Sequence, residues 1–246
     1  MAESGALLKR CRRKTLPKVR ILHSPPFFYI VMENNHYCNA CESNISEFLP
    51  YGDNKRKNAI CPICNSRERH RFFKYWFDTI KGNLNTSTRI LHFAPEKAIA
   101  ARFKEVSKKN YVSADILPNK AMKVEDIRQL SFHRNSFDFI FCSHVLQHVN
   151  EDEKAISELY RVLDKNGMMV LMGSHGHIKT YTTMHTSDGE GEYFIRYYNT
   201  QDLINKLTAV GFLVKILRVE ELIKDSKELF RLGIKNGDVV FICSKN

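Results

Sequence analysis

The sequence contains no apolar run near the ~20 residues that a membrane-spanning helix requires. The longest early run, Phe27–Met32, is far shorter. The basic segment Lys9–Arg20 is not followed by the hydrophobic region of a secretion signal, which leaves an organelle transit peptide as the alternative. The chain also has no internal repeat and no long low-complexity segment. With an ordinary hydrophobic content of 43%, these absences predict a cytoplasmic globular protein with a packed core.

Acidic residues are scarce at the beginning of the chain. The formal net charge is +11, and the first 20 residues hold seven basic residues against one acidic residue. That segment therefore carries +6, and the other 226 residues carry +5. A basic flexible arm over residues 1–26 attracts nucleic acid or anionic lipid. The alternative is a solvated arm without a partner.

Four of the seven cysteines form two Cys-x-x-Cys pairs, separated by 19 residues. Two such turns supply the four thiolates of a closed tetrahedral zinc shell. Because every corner is a protein ligand, we expect this zinc to be structural. Two chance pairs in a reduced protein are the alternative, and disulfides are disfavoured because nothing else indicates secretion. The predicted ligands are Cys38, Cys41, Cys61 and Cys64.

The predicted organisation has three parts: the arm over 1–26, a zinc-binding knob with a linking helix over 27–82, and a larger domain over 83–246. The linking helix is expected from Ser66 to Ile80. From Thr88 onward, short apolar strands alternate with helices, which predicts an α/β fold with an open, mostly parallel sheet. Residues 174–198 show no regular period and are expected to be irregular. Ligands of such sheets bind beyond the carboxyl ends of the strands.

Five short segments between Arg89 and Gly211 lie in or next to predicted strands and helices. They are Ile-Leu-His-Phe-Ala-Pro-Glu at 90–96, Asp115, Asp126-Ile127, the strand and helix start at 137–149, and Leu-Tyr-Arg-Val-Leu at 159–163. This stretch resembles the class I S-adenosylmethionine-dependent methyltransferases. The segment Cys61–Arg71 is similar to a bacterial subgroup in which a Cys-Pro-x-Cys-x-Ser-x-x-Arg-His-Arg knob precedes the first cofactor loop.

The resemblance implies a doubly wound, Rossmann-like sheet of seven strands with a small N-terminal zinc-ribbon-like subdomain. It also implies S-adenosylmethionine as the cofactor. Asp115 ends the second strand and is placed to accept hydrogen bonds from the ribose hydroxyls, with a turn cap as the alternative. The first loop lacks the usual glycines and reads Ala94-Pro95-Glu96, so that Glu96 is expected to meet the methionine ammonium. The predicted cofactor residues are His92, Phe93, Ala94, Glu96, Asp115, Ile116, Asp126, Ile127, Ser143 and His144.

His144 and His148 lie four residues apart at the expected start of a helix, next to the fourth strand. A histidine there can take a proton from an acceptor hydroxyl, because its pKa is near neutral. We expect His144 to contact the cofactor or substrate, as the candidate catalytic base, and His148 to be a packing residue. Arg69, His70 and Arg71 either clamp an anionic substrate or tie the knob to the main domain.

The segment 174–198 is rich in histidine and tyrosine and is expected to roof the acceptor site, with an ordinary surface loop as the alternative. Its predicted substrate residues are His175, Tyr181, Arg196 and Tyr197. By family analogy, the leading function is O-methylation of a small-molecule or sugar acceptor. One rival is a nucleic-acid methyltransferase that uses the basic arm and the zinc knob, although the Asn/Asp-Pro-Pro-Tyr/Phe motif of amino-methylating enzymes is absent. The other is a catalytically silent binding module.

Overall fold

The computed structural model of the protein describes residues 19–21, 30–32, 35–52, 55–173, 175–187 and 191–245. Most of the expected basic arm lies outside these residues. The N-terminal region consists of three two-stranded antiparallel pairs followed by one long helix. These elements are β1 (Val19–Ile21), β2 (Ile30–Met32), β3 (His36–Cys38), β4 (Ser43–Ile45), β5 (Leu49–Tyr51), β6 (Arg56–Ile60) and α1 (Glu68–Ile80).

A mixture of strands and helices follows to the end of the described chain. The first half comprises β7 (Ile90–Phe93), α2 (Lys97–Ser107), β8 (Tyr111–Asp115), β9 (Lys123–Val124), β10 (Phe137–Ser143), α3 (Asp152–Val162) and β11 (Leu163–Met172). The second half comprises β12 (Tyr181–Ser187), β13 (Gly191–Tyr197), α4 (Thr200–Val210), β14 (Phe212–Arg218), α5 (Val219–Leu222), α6 (Ser226–Leu232) and β15 (Val239–Lys245). Short 3₁₀ turns cover Lys81–Asn83, Lys108–Asn110 and Leu146–His148.

Seven strands form the central sheet in the order β14-β15-β11-β10-β7-β8-β9. The pairs from β11 to β9 are parallel, whereas β15 runs antiparallel to both β11 and β14. This confirms the predicted doubly wound, mostly parallel α/β sheet. The chain leaves β7 toward β8 and β9 and returns to β10 on the other side of β7. The crevice beyond the carboxyl ends of β7 and β10 is therefore the switch point at which such sheets bind ligands.

Successive residues of a strand point to opposite faces of the sheet. Helices pack on both of these faces. In β10, Phe139 and Phe141 pack with the aromatic face of α1 and with Phe103 of α2. Ile140 and Cys142 point the other way and pack with α3 and α4. The strand has to be apolar on both faces, which is why Phe137–Ser143 reads as a nearly unbroken hydrophobic run.

Two parts of the second half differ from the sequence prediction. The segment expected to be irregular contains the antiparallel hairpin of β12 and β13. Its strands show no regular alternation of apolar and polar residues, and Tyr181 and Met184 remain exposed, so there is no core-facing stripe to find. The short helices α5 and α6 were also missed. The helix α4 ends at Gly211, whose φ is 112°. None of the described helices is both long and apolar enough to cross a membrane.

Candidate active site and metal centre

The four predicted zinc ligands converge at one point in the N-terminal region. The sulfurs of Cys38 and Cys64 lie 3.7 Å apart, and those of Cys41 and Cys61 lie 3.8 Å apart. All four ligand atoms lie within 4.8 Å of one another. A tetrahedral shell with zinc–sulfur bonds of about 2.3 Å separates its sulfurs by about 3.8 Å. The site therefore has the dimensions and the donor chemistry of a four-thiolate zinc centre.

Neighbouring donors are arranged around these sulfurs. The backbone N–H of Ile63 donates to Cys61 Sγ at 3.4 Å, and Ser66 Oγ lies 3.1 Å from Cys38 Sγ. Cys38 and Cys61 are fully buried. Such contacts orient the ligands and disperse thiolate charge. A metal held by all four thiolates would have no position left for water or substrate, which is the arrangement of a structural site.

Arg71 ties this knob to the larger domain rather than facing a ligand. Its side chain is fully buried, and each of its five N–H donors reaches a backbone carbonyl. The acceptors are Ala59 at 3.1 Å, Ser66 at 2.8 Å, Asn58 at 3.1 Å, Leu232 at 2.7 Å and Gly233 at 2.8 Å. Of the two alternatives for Arg71, these contacts match the tie, because a guanidinium with every donor engaged cannot clamp a substrate. Gly233 is required nearby, since a Cβ there would lie 2.5 Å from the Phe48 ring.

His70 and His92 hold Glu96 from two sides. Nε2 of His70 lies 3.2 Å from one carboxylate oxygen, and Nε2 of His92 lies 3.1 Å from the other. Burial lowers the pKa of both imidazoles. Burial alone would raise the pKa of the Glu96 carboxyl, but the hydrogen bonds with His70 and His92 hold it well below its usual range. Glu96 thus links α1 of the knob to the loop after β7.

A cavity of about 330 Å³ opens beyond the carboxyl ends of β7, β8 and β10. Seven of the ten predicted cofactor residues line it: Phe93, Ala94, Asp115, Ile116, Asp126, Ile127 and His144. The other three, His92, Glu96 and Ser143, do not line it. His92 is fully buried behind the loop, and Ser143 is 3% exposed with its Oγ lacking a partner among the described residues.

The backbone at Ala94 and at His144 is strained, on opposite sides of this cavity. Their φ angles are 46° and 56°, in the left-handed region that favours glycine. Each conformation is held by one hydrogen bond: Ala94 N–H donates to the Ala114 carbonyl at 2.9 Å, and His144 N–H donates to the Met172 carbonyl at 2.8 Å. Strain of about 1–3 kcal/mol at such residues is typical of ligand sites. Ala94 therefore adopts the left-handed backbone conformation that a glycine usually provides at this turn.

A second cleft, of about 520 Å³, adjoins the first, and His144 lines both. Its other walls include Gln147, His175, Tyr197 and Asp238. Two predicted substrate residues, His175 and Tyr197, therefore lie in this cleft. Tyr181 does not line it but stacks on Tyr197, with ring centres 5.0 Å apart and planes 17° apart.

Arg196 has a structural set of contacts. It pairs with the buried Asp152 at 2.9 Å and donates to the carbonyls of Val149 and Asn150 at 3.0 Å each. These contacts fasten the β12–β13 hairpin to the loop before α3. The prediction that Arg196 binds substrate is therefore not supported by its position. The sequence around Arg196 gives no sign of Asp152 opposite it.

The cavity and the strained turns agree with comparisons with known proteins. Residues 88–171, about a third of the chain, match a protein family described as a methyltransferase domain. The chain carries a methyltransferase domain. No curated protein sequence gives a match to the chain.

Solved structures share the fold of this methyltransferase domain at low sequence identity. An S-adenosylmethionine-dependent methyltransferase from Clostridium acetobutylicum has a TM-score of 0.51 and 11% identity, covering 71% of this chain and 91% of its own. The YcgJ protein from Bacillus subtilis has a TM-score of 0.50 and 13% identity, covering 72% and 99%. A chain in the Haloferax volcanii complex between the Trm112 methyltransferase activator and a methyltransferase has a TM-score of 0.50 and 10% identity, covering 69% and 88%. These likenesses show the fold.

Two of the carboxylates that line the cavity of the methyltransferase domain, Asp115 and Asp126, are not equally available. Asp115 Oδ1 accepts the Leu117 N–H at 2.9 Å, and no hydrogen bond among the described residues reaches its Oδ2. Both oxygens of Asp126 accept from the Arg128 guanidinium, at distances from 2.6 to 3.1 Å. These hydrogen bonds from Arg128 lower the pKa of Asp126. Asp115 therefore presents an open acceptor, whereas Asp126 must share its oxygens with Arg128.

His144 lies in a turn rather than on a helix, which corrects the sequence prediction. A 3₁₀ turn covers Leu146–His148 and α3 begins only at Asp152, so His144 and His148 do not share a helical face. His148 lines the first cavity. Burial lowers the pKa of His144 to about 3, with the positive charge of Arg69 adding to the effect. Its imidazole is therefore neutral at neutral pH and accepts a proton poorly.

Proposed function

We propose that this chain transfers the methyl group of S-adenosylmethionine to a hydroxyl of a small-molecule or sugar acceptor. The observation that carries the proposal is the pair of clefts that meet at His144, one at the switch point of the sheet and one roofed by the β12–β13 hairpin. A group transfer needs two sites that open onto one reacting point, because positioning alone supplies a large part of the rate.

The residues of the first cavity fit the parts of S-adenosylmethionine. The open oxygen of Asp115 is suited to the two ribose hydroxyls, which need a charged acceptor. Ile116, although 62% exposed, and Ile127 supply apolar surface for the adenine ring. Ala94, small and in a left-handed turn, lets the methionine end approach the backbone. Asp126 can accept from the adenine amino group only with oxygens that already accept from Arg128.

When bound, this cofactor supplies a methyl group on an already activated sulfonium, open to in-line displacement. The chain's own part is to orient and to exclude water. The neutral imidazole of His144 lies where the two clefts meet and can accept a hydrogen bond from the acceptor hydroxyl. The second cleft, with His175 and Tyr197, is polar and wide enough for a sugar-sized molecule.

We also propose that the four cysteines hold one structural zinc ion. Their role is to fix the knob, from which α1 carries His70 to Glu96 beside the first cavity. The zinc therefore supports the cofactor loop indirectly and takes no part in the chemistry.

Isotope-labelled cofactor tests the function. The purified protein is incubated with labelled S-adenosylmethionine and cell extract, which is then separated into small molecules, nucleic acid and protein. Label in the small-molecule fraction, dependent on the protein, is the expected result. Label in nucleic acid would favour the rival acceptor, with the basic arm as its grip. A protein that binds no cofactor in calorimetry would contradict the proposal and favour a silent binding module.

A further inference from the structure

We propose that Asp238 is the catalytic residue that binds the acceptor hydroxyl and takes its proton. The inference rests on the proposed methyl transfer. Asp238 was not singled out from the sequence, because no motif surrounds it. It directly precedes β15, the strand that runs antiparallel between β11 and β14. This insertion places its side chain in the second cleft, together with His144 and His175.

The backbone of Asp238 is fixed, while its carboxylate is not engaged. Its carbonyl accepts the N–H of Val219 at 3.1 Å. Among the described residues, no hydrogen bond or ion pair to its carboxylate is found. Two of the nearby cations are committed elsewhere: Arg56 donates twice to Glu68, at 2.7 and 3.1 Å, and Lys235 lies 3.9 Å from the same carboxylate. The third, Arg69, acts on Asp238 through its charge without a hydrogen bond to it among the described residues. A partly buried carboxylate without donors costs free energy, which a ligand hydroxyl would recover.

The charges around Asp238 favour proton acceptance. Burial raises its pKa to about 6, and Glu68 on α1 adds to the increase. Arg69 on α1, Lys235 in the loop before β15 and Arg56 on β6 act in the opposite direction. The carboxylate is therefore ionised at neutral pH, yet it holds a proton far better than an ordinary aspartate.

The two histidines on the cleft walls are weaker bases than Asp238. Burial lowers the pKa of His144 to about 3 and that of His175 to about 4. A base acts best when its pKa approaches the working pH, and Asp238 comes nearest of these three groups. Charge repulsion at the same carboxylate disfavours an anionic acceptor group and favours a neutral hydroxyl.

The step balances without a further reactant. The acceptor O–H bond breaks, and its proton moves to a carboxylate oxygen of Asp238. The oxygen forms the new bond to the methyl carbon, and the electron pair of the broken carbon–sulfur bond stays on sulfur. The protonated Asp238 then returns its proton to water when the product leaves.

The test compares Asp238→Asn with the wild type and with Glu105→Gln, a carboxylate change on the exposed surface of α2. Methyl transfer is measured from pH 5 to 8, and cofactor affinity is measured by calorimetry. For Asp238→Asn we expect the rate to fall by roughly 10²–10⁴-fold and cofactor affinity to stay within about threefold. The acidic limb of the wild-type rate profile, near pH 6, should disappear. Glu105→Gln should match the wild type.

The outcomes separate this inference from the proposed function. Equal transfer rates for the wild type and Asp238→Asn would overturn the role of Asp238 alone. A parallel loss of cofactor affinity and rate would also overturn it, since the residue would then be structural or part of the cofactor site. A wild type that binds no cofactor and transfers no methyl group would contradict the proposed function, and the inference with it.

Discussion

The four-cysteine knob and the carboxyl edge of the sheet differ in how far their polar groups are paired. In the knob, four sulfurs face one point and all five donors of Arg71 are bound to carbonyls. At the sheet edge, one oxygen of Asp115 and the carboxylate of Asp238 have no donor among the described residues. Closed polar groups stabilise a structure, whereas open ones in a cleft indicate a ligand. The predictions below test this difference, from the largest effect to the smallest.

Loss of two zinc ligands should have the largest effect. Cys61→Ser combined with Cys64→Ser leaves two thiolates, which cannot complete the shell. Structural zinc contributes on the order of 10 kcal/mol to folding. Metal analysis should find about one zinc per chain in the wild type and none in the double variant, with loss of the cooperative unfolding transition. Cys142→Ala, in the sheet core, should keep the zinc. A metal-free wild type that keeps its fold would contradict this prediction.

Neighbouring arginines should differ in their effect on stability. Arg71→Met removes five hydrogen bonds to backbone carbonyls, most of them buried, and should lower the free energy of unfolding by about 3–5 kcal/mol. Nε of Arg69 is buried and without a partner among the described residues. Arg69→Met should therefore cost little or even stabilise the fold. Urea denaturation measures both, and equal losses would show that the comparison of closed and open groups fails.

Asp238→Asn should stabilise the protein in a pH-dependent way. The folded-state pKa of Asp238 is raised from 3.8 to about 6, so the destabilisation by this carboxylate grows between about pH 4 and pH 6 and is complete above that range. The variant should be more stable than the wild type by about 1–3 kcal/mol at pH 8, and the difference should vanish below about pH 4. Thermal unfolding across this range measures it. A variant less stable than the wild type at pH 8 would mean that the carboxylate has a partner in the fold.

Asp115→Ala and Asp126→Ala compare an open carboxylate with a paired one. A hydrogen bond to a charged group contributes ~1.5–3 kcal/mol, so loss of Asp115 should weaken cofactor binding roughly tenfold to a hundredfold. Asp126→Ala should have a smaller effect, because Arg128 already occupies its oxygens. Calorimetry with S-adenosylhomocysteine measures both affinities. A larger loss in Asp126→Ala would reverse the assignment.

Much of the fold could be predicted because its signals are local. Apolar runs such as Phe137–Ser143 mark buried strands, the spacing of the cysteines marks the knob, and the motifs after β7, β8 and β10 indicate the switch point. The sheet and the methyltransferase domain are confirmed, while the roles of individual site residues stay predictions. What failed depends on distant parts of the chain. Arg71 and Arg69 look alike until α1 is packed against Leu232 and Gly233, and Asp238 enters the cleft only because β15 inserts antiparallel.

A crystal structure with S-adenosylhomocysteine tests the central claim most directly, because it shows which of the open groups a ligand fills. The account predicts one molecule in the cavity beyond β7, β8 and β10. Its ribose hydroxyls should lie about 2.6–3.0 Å from Asp115, its adenine against Ile127, and its sulfur toward His144. A molecule bound elsewhere, or none at saturating concentration, would contradict the assignment of this cavity and the methyl transfer built on it.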